Sequence, residues 1–207
     1  SRIGPPFYQP FFDFLKLMAK EPVGRLPLDG FLMSGLPILA IGGMLGALSL
    51  LPVFPRTSYF AGDLVLLVAL LELPALCSVL AGFASRSPFG QVGAIREAIL
   101  SITYNLPFLG ALVALAVSTG NLWLADIALV SPWIVRLPAL VALLICLPIK
   151  LRINPFSIPN AEQEIYSGPT TEFDGRRLAL WELAHGLEWV ALVGLMATLA
   201  LPWRSGL

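Results

Sequence analysis

The sequence predicts an all-α membrane protein, a polytopic bundle of transmembrane helices with an amphipathic N-terminal helix in the membrane interface. Hydrophobic residues make up 57% of the 207 residues and charged residues only 13%, and the mean hydropathy is +0.82. Apolar stretches recur along the chain, each close to the roughly 20 residues that a helix needs to cross a bilayer. Because lipid offers the backbone no hydrogen-bond partner, we expect these stretches to be helical.

The charge and the cysteines exclude several classes of function. Thirteen basic side chains balance thirteen acidic ones, so the sequence indicates no basic surface for nucleic acid. Cys77 and Cys146 lie within apolar stretches without metal-ligand spacing, and we interpret them as unpaired thiols that face the core or the lipid. With one histidine, no nucleophile triad and no phosphate-binding glycine loop, the sequence indicates neither catalytic residues nor a metal site.

The first predicted element is the amphipathic helix at residues 7–20. Its aromatic and aliphatic side chains share one helical face, and polar side chains recur every three or four residues on the other. The segment is too short and too charged to span a bilayer, so we expect it to lie in the interface. The alternative is an ordinary surface helix, which the apolar stretches that follow disfavour.

Five apolar stretches are predicted to span the membrane, near residues 31–51, 63–83, 99–118, 133–149 and 178–201. Pro74 and Pro107 fall within the second and third spans, where each removes a helical hydrogen bond and bends the helix. The chain begins at Ser1 rather than at Met, and we expect it to be a fragment of a single, longer membrane domain.

The basic residues predict the orientation. Ten of the thirteen lie before the first span, between the second and third, or between the fourth and fifth, against Arg56, Arg136 and Arg204 on the other side. The positive-inside rule therefore places the N-terminal side of the first span in the cytoplasm, together with two loops at residues 84–98 and 150–177. We expect a multi-pass protein of the cytoplasmic membrane.

Ionisable residues within the spans are the first candidates for a site. Glu72 lies near the middle of the second span, where a carboxylate is costly unless it is protonated, paired or directed into a cavity. We favour a proton path over a merely hydrogen-bonded, protonated side chain. Glu182, His185 and Glu188 follow at intervals of three residues, about one turn apart, near the start of the fifth span. They indicate a proton relay, with a polar interfacial cap as the alternative.

The loop INPFSIPNAEQEIYSGPTTEFDG, residues 153–175, is the second candidate. Its prolines and glycines favour a defined shape, so we predict a surface that docks a partner, whereas the alternative is a solvated loop neutralised by its own basic residues. The acidic members are Glu162, Glu164, Glu172 and Asp174. The predicted docking residues of the two loops are Arg86, Arg96, Glu97, Arg152, Asp174, Arg176 and Arg177.

The loop segment PFSIPNAEQEIYSGPTTEFDG resembles the signature loop of the H-type membrane subunit of bacterial complex I, which corresponds to subunit 1 in mitochondria. SRIGPP and SRSPFGQVGAIREAI resemble two further segments of that family, in the same order. Gly168–Pro169 and Ser87–Pro88 look more like the corresponding subunit of energy-converting membrane-bound NiFe hydrogenases, formate hydrogenlyase and sulfane reductase complexes.

The resemblance implies a cofactor-free subunit of a multisubunit membrane oxidoreductase, with no chemistry of its own. Such a subunit docks a peripheral electron-transfer arm and relays protons or charge changes to antiporter-like membrane subunits. The implied partners are NiFe-hydrogenase-like large and small subunits and iron–sulfur subunits, which hold the NiFe centre and the iron–sulfur clusters. The alternatives are a complex I subunit that forms part of a quinone site, and a purely structural anchor.

The family motif carries over to three acids of the loop, Glu162, Glu164 and Glu172, and the resemblance implies that they relay protons or charge changes together with Glu182. Three other acids of the family are replaced, by Asn105, Ser157 and Asn160. The first of these replacements removes a carboxylate from the third span, and we expect Glu72 or the acids of the fifth span to compensate.

Overall fold

The computed structural model describes residues 8–20, 27–51, 63–159 and 168–200. Within these ranges the chain forms seven α-helices, a single 3₁₀ turn at Gly168–Thr170, and no β-strand. The helices are α1 (Gln9–Ala19), α2 (Pro27–Leu50), α3 (Leu64–Ala84), α4 (Pro88–Thr119), α5 (Leu124–Val130), α6 (Trp133–Lys150) and α7 (Gly175–Ala200). The predicted all-α class is confirmed.

Five of these helices, α2, α3, α4, α6 and α7, are long and apolar enough to cross a membrane. The predicted architecture, a polytopic helix bundle with five candidate spans, is therefore confirmed. The largest difference concerns α4, which begins at Pro88 and not at residue 99. Proline fits the first turn of a helix, where its missing N–H costs nothing, so residues 88–98 continue the third span instead of forming a loop. With 32 residues α4 is about 48 Å long, more than the roughly 30 Å of bilayer hydrocarbon.

The amphipathic helix α1 forms as predicted and buries none of its side chains. Its aromatic face stays open, with Phe11 62% exposed and Phe12 54% exposed. The helix rests against α7, where Arg176 Nε donates to the Met18 carbonyl at 3.2 Å. An open aromatic face on a helix beside a membrane bundle supports the interfacial position, which stays a prediction.

Two apolar clusters hold the bundle together. The larger joins α2, α3, α4, α6 and α7 around leucines such as Leu71 and Leu195, and it includes Cys146. The smaller surrounds Cys77 and takes in Phe173, whose ring meets Trp181 edge to face at 5.7 Å. Both cysteines are buried and unpaired, as expected. Phe173 belongs to the long loop, so this cluster fixes the end of the loop against the helices.

Candidate functional site

Glu72 of α3 is paired with a lysine from a different helix. Lys150, the last residue of α6, donates from Nζ to Glu72 Oε1 at 2.5 Å. The lysine side chain is fully buried, whereas 23% of the Glu72 side chain remains exposed. An intramembrane acid needs a partner or a cavity, and Lys150 is that partner.

Three residues of α4 complete the surroundings of this pair. Asn105 Nδ2 donates to Glu72 Oε2 at 3.0 Å, and the Tyr104 hydroxyl lies 3.5 Å from Lys150 Nζ. The ammonium group also lies 4.8 Å from the Tyr104 ring centroid and 5.6 Å from that of Phe108, where the ring faces stabilise a cation. Asn105, at the position where the resemblance predicts a family carboxylate, therefore lies within one hydrogen bond of Glu72.

A second buried ion pair joins α4 to the residues just after α6. Arg152 Nη2 donates to Glu97 Oε1 at 2.7 Å, and the exposed fractions of the two side chains are 14% and 2%. Burial disfavours the charge on Arg152, but the carboxylates of Glu97 and Glu188 outweigh it, so the pKa of Arg152 lies above its ordinary value. Both members of the pair were predicted to dock a partner, yet the structure places them inside the protein.

The third element of the site comes from α7. His185 Nδ1 lies 3.5 Å from Glu188 Oε2, and the indole of Trp189 donates to His185 Nε2 at 3.2 Å. Because Nε2 accepts this hydrogen bond, a neutral imidazole carries its proton on Nδ1, facing Glu188. Glu188 is 2% exposed and interacts electrostatically with both Lys150 and Arg152.

Two direct ion pairs and the longer-range electrostatic interactions of Glu188 order five buried or half-buried charges of alternating sign, which we call the charged row. Its members, in order, are Glu72, Lys150, Glu188, Arg152 and Glu97. Four helices and the start of the loop contribute to it, so the row crosses the bundle. A charge that moves at one end changes the field felt by the next member.

A small cavity adjoins the row on the side of the long loop. It measures about 80 Å³ and is lined by Arg152, Glu188 and His185 from the site, and by Thr170 and Glu182. The polar groups in its walls and this volume suit water molecules. The cavity therefore connects the 3₁₀ turn of the loop to the charged row.

The remaining predicted site residues lie elsewhere. Glu182 is exposed at the cavity, and Glu172 and Asp174 are half-buried at the end of the loop. Glu162, Glu164 and Asn160 lie outside the described residues. Ser157 donates to Asn154 Oδ1 at 3.0 Å.

The other predicted docking residues lie near the ends of the helices. Arg177 donates to Ser34 Oγ at 3.2 Å and, with Arg176, links α7 to its neighbours. Arg86 is exposed at a turn with φ 54°, and Arg96 is half-buried. Among these residues, Arg86 and Arg176 keep exposed side chains that a partner can reach.

Two members of the site do not stand out in the sequence. Lys150 belongs to the basic residues that flank the loop, and Tyr104 lies within an apolar span. The rarity of a lone acid in a span predicts a buried cation somewhere, and Lys150 directly follows an apolar stretch. Within the described residues no group of three or more His, Cys, Asp and Glu side chains could hold a metal ion.

The long loop is seated on α4 at a glycine. A methyl group on Gly93 would lie 2.7 Å from the Cα atom of Gly168 and 2.7 Å from Pro169 Cδ. Gly93→Ala should therefore push the 3₁₀ turn off the helix and destabilise the protein by about 1–3 kcal/mol. Thermal unfolding of the detergent-solubilised protein measures this.

The matched control is Gly110→Ala in the same helix, where an added methyl group meets no atom within 4 Å. This substitution should be neutral or stabilise the protein by up to about 1 kcal/mol, the helix-propensity difference between the two residues. Equal effects of the two substitutions would contradict the seating of the loop on Gly93.

Fold and site together define a class, that of integral membrane proteins with ion-paired acids and bases inside the bundle, a feature of subunits that move or sense charge. Residues 1–206 match the family model described as NADH dehydrogenase, and the chain belongs to this family. The resemblance seen in the loop is thus confirmed.

Individual relatives come from several complexes. The chain is 35% identical over 210 residues to hydrogenase-4 component C of Escherichia coli (strain K12), covering 98% of this chain and 66% of that protein. It is 29% identical over 216 residues to NADH-quinone oxidoreductase subunit 8 of Thermus thermophilus, covering 97% of this chain and 59% of the relative. Formate hydrogenlyase subunit 4 of Escherichia coli is 28% identical over 211 residues, with coverages of 98% and 68%.

A solved structure is similar over the same length. The structure of the membrane-bound sulfane sulfur reductase, an archaeal respiratory membrane complex, includes a chain with a TM-score of 0.83 and 30% identity. The similarity covers 96% of this chain and 68% of that one. The present chain spans just under two thirds of the length of hydrogenase-4 component C, and less of the Thermus relative.

Proposed function

We propose that the chain is the membrane anchor and coupling subunit of a redox-driven, ion-pumping complex of the group 4 NiFe-hydrogenase type. The observation that carries the proposal is the charged row. It extends from Arg152, at the start of the long loop, to Glu72 in the middle of α3. The similarity to hydrogenase-4 component C and to formate hydrogenlyase subunit 4 favours the hydrogenase type.

In this proposal the long loop is the part of the chain on which the peripheral electron-transfer arm acts. A peripheral electron-transfer arm docks on the cytoplasmic side, on the loop between α6 and α7 and on the turn before α4. The loop begins directly after Arg152 and its 3₁₀ turn rests on α4, so a movement of the loop displaces the cation that pairs with Glu97. The subunit needs no cofactor for this, because charge and position alone carry the signal.

The interaction energy between two close charges is large enough to change the protonation of a nearby group. Two unit charges about 4 Å apart interact by roughly 4 kcal/mol at an effective dielectric constant of 20. A change of about 1.4 kcal/mol shifts a pKa by one unit. Removing Arg152 from Glu97 therefore changes the electric field at Glu188, and the neighbouring charges of the row feel the change in turn.

The partners of the proposed complex are the NiFe-hydrogenase-like large and small subunits, iron–sulfur subunits and antiporter-like membrane subunits. The site in this chain supplies charged and hydrogen-bonding groups. The electron transfer itself belongs to the partner subunits.

The native complex, purified in mild detergent, tests the hydrogenase type. We expect hydrogen evolution from reduced ferredoxin and no quinone reduction from NADH. Quinone reduction without hydrogen would contradict this and favour the second candidate, a complex I subunit of the quinone site, which the 29% identity to NADH-quinone oxidoreductase subunit 8 supports. The absence of both activities would also contradict the hydrogenase type.

A further inference from the structure

His185 lies between the small cavity and the outer surface of the bundle. Its ring lines the cavity, and 36% of its side chain is exposed. Nδ1 lies 3.5 Å from Oε2 of Glu188, which is 2% exposed. An imidazole in such a place can pass protons, because one ring nitrogen can take up a proton while the other releases one. The group that contacts Nε2 therefore decides whether His185 passes protons to Glu188.

The group at Nε2 is the indole of Trp189. Trp189 follows His185 by four residues, about one helical turn, and its Nε1 donates to His185 Nε2 at 3.2 Å. The two rings meet nearly at right angles, at 85°, with their centroids 6.5 Å apart. An indole N–H only donates hydrogen bonds, and it is far too weak an acid to give its proton to an imidazole. The hydrogen bond thus occupies Nε2 without supplying a proton.

This hydrogen bond also favours the neutral form of the imidazole. Nε2 can accept a hydrogen bond only while it carries no proton, so the bond stabilises the uncharged ring. Among the groups that line the cavity with His185, the carboxylates of Glu182 and Glu188 favour a cation, and Arg152 disfavours one. A protonated ring would add a positive charge beside Glu188, where Lys150 and Arg152 already act. The indole therefore keeps the charges next to the charged row as they are.

We propose that Trp189 is a positioning residue, whose indole N–H occupies Nε2 of His185, keeps the imidazole neutral and directs Nδ1–H toward Glu188. With the indole in place, His185 passes no proton between the cavity and the charged row. The inference deepens the proposed function and rests on it, because it names the residue that prevents protons from reaching the row without a movement of the loop.

Nitrogen NMR of the full-length protein in detergent, with isotope-labelled histidine, reports the charge and the tautomer of the ring. The 207 residues contain one histidine, and the loss of its signal in His185→Gln assigns it. At about pH 6.5, where roughly half of a free histidine is charged, we expect a neutral ring with its proton on Nδ1. A charged ring, or a proton on Nε2, would overturn the proposal, because neither form accepts a hydrogen bond at Nε2.

Trp189→Phe removes the donor and keeps an aromatic ring on the same face of α7. At the same pH we expect most of the His185 rings in this variant to be charged, since the carboxylate of Glu188 remains beside Nδ1. The matched control is Trp123→Phe, which replaces a 46% exposed indole before α5 and should leave the ring neutral. An unchanged, neutral ring in Trp189→Phe would contradict the role of the indole.

The native complex in proteoliposomes gives a second, independent readout. Trp189→Phe should lose part of the ions moved per electron, because protons then reach the charged row through His185, whereas Trp123→Phe should lose none. Equal coupling in the two variants would contradict the proposal. Hydrogen evolution, assayed on the unmodified complex, decides the proposed function separately, since the NMR signal reports only the state of His185.

Discussion

Replacing Glu72 by alanine is expected to destabilise the protein by about 3–5 kcal/mol, the cost of leaving one charge of a buried ion pair without its partner. The charge left without its ion-pair partner is the ammonium of Lys150, whose side chain is fully buried. The ring of Tyr104 stabilises a cation only weakly and cannot replace a carboxylate 2.5 Å away. Thermal unfolding in detergent measures the loss.

Two comparisons make this result specific. Glu182→Ala removes an exposed acid of α7 and should change stability by no more than about 0.5 kcal/mol. The double substitution Glu72→Gln/Lys150→Met removes both charges of the pair and should recover most of the stability that Glu72→Ala loses, because no buried charge is left alone. A double variant as unstable as the sum of its two single substitutions would show that the residues do not act as a pair.

Arg152→Ala should have an effect of similar size at the other end of the charged row, about 3–5 kcal/mol. Arg152 pairs with Glu97 and interacts electrostatically with Glu188, two carboxylates that are each 2% exposed, and its loss leaves Glu97 without its ion-pair partner. Adding Glu97→Gln to this variant should restore part of the stability, since the unpaired charge of Glu97 is then gone.

The matched control for Arg152 is Arg176→Ala. Arg176 is exposed and makes one hydrogen bond, to the Met18 carbonyl, so its loss should cost about 1 kcal/mol. Melting curves of the purified variants compare the two directly. Equal effects would mean that the pair between Glu97 and Arg152 contributes no more than a surface contact.

The fold class could be predicted from the sequence because bilayer crossing imposes length and hydropathy on each segment. The start of α4 could not be placed in the same way. Residues 88–98 carry an arginine, a glutamate, a glutamine and two glycines, which a hydropathy reading takes for a loop, but Glu97 is paired inside the bundle and Pro88 suits a helix start. Hydropathy reports composition, and it does not show that Glu97 has a buried partner in Arg152.

The same distinction explains which site residues could be predicted. His185 and Glu188 lie on one helix, so their contact follows from a spacing of three. Glu182 lies six residues before Glu188, which turns it about 120° away around the helix, and it remains exposed. Glu72 and Lys150 are 78 residues apart, so only the packing of α3 against its neighbours brings them together. A single sequence indicates that an acid within a span needs a partner, but it does not show which residue that partner is.

The measurement that most directly tests coupling by the charged row is the number of ions moved per electron in proteoliposomes that contain the native complex. The variant of choice is Glu72→Gln/Lys150→Met, which keeps the bundle without stranded charges. We predict that its redox turnover stays close to that of the unmodified complex while ion translocation falls to the background of protein-free vesicles. The same number of ions per electron in both complexes would contradict the account and leave the chain a structural anchor.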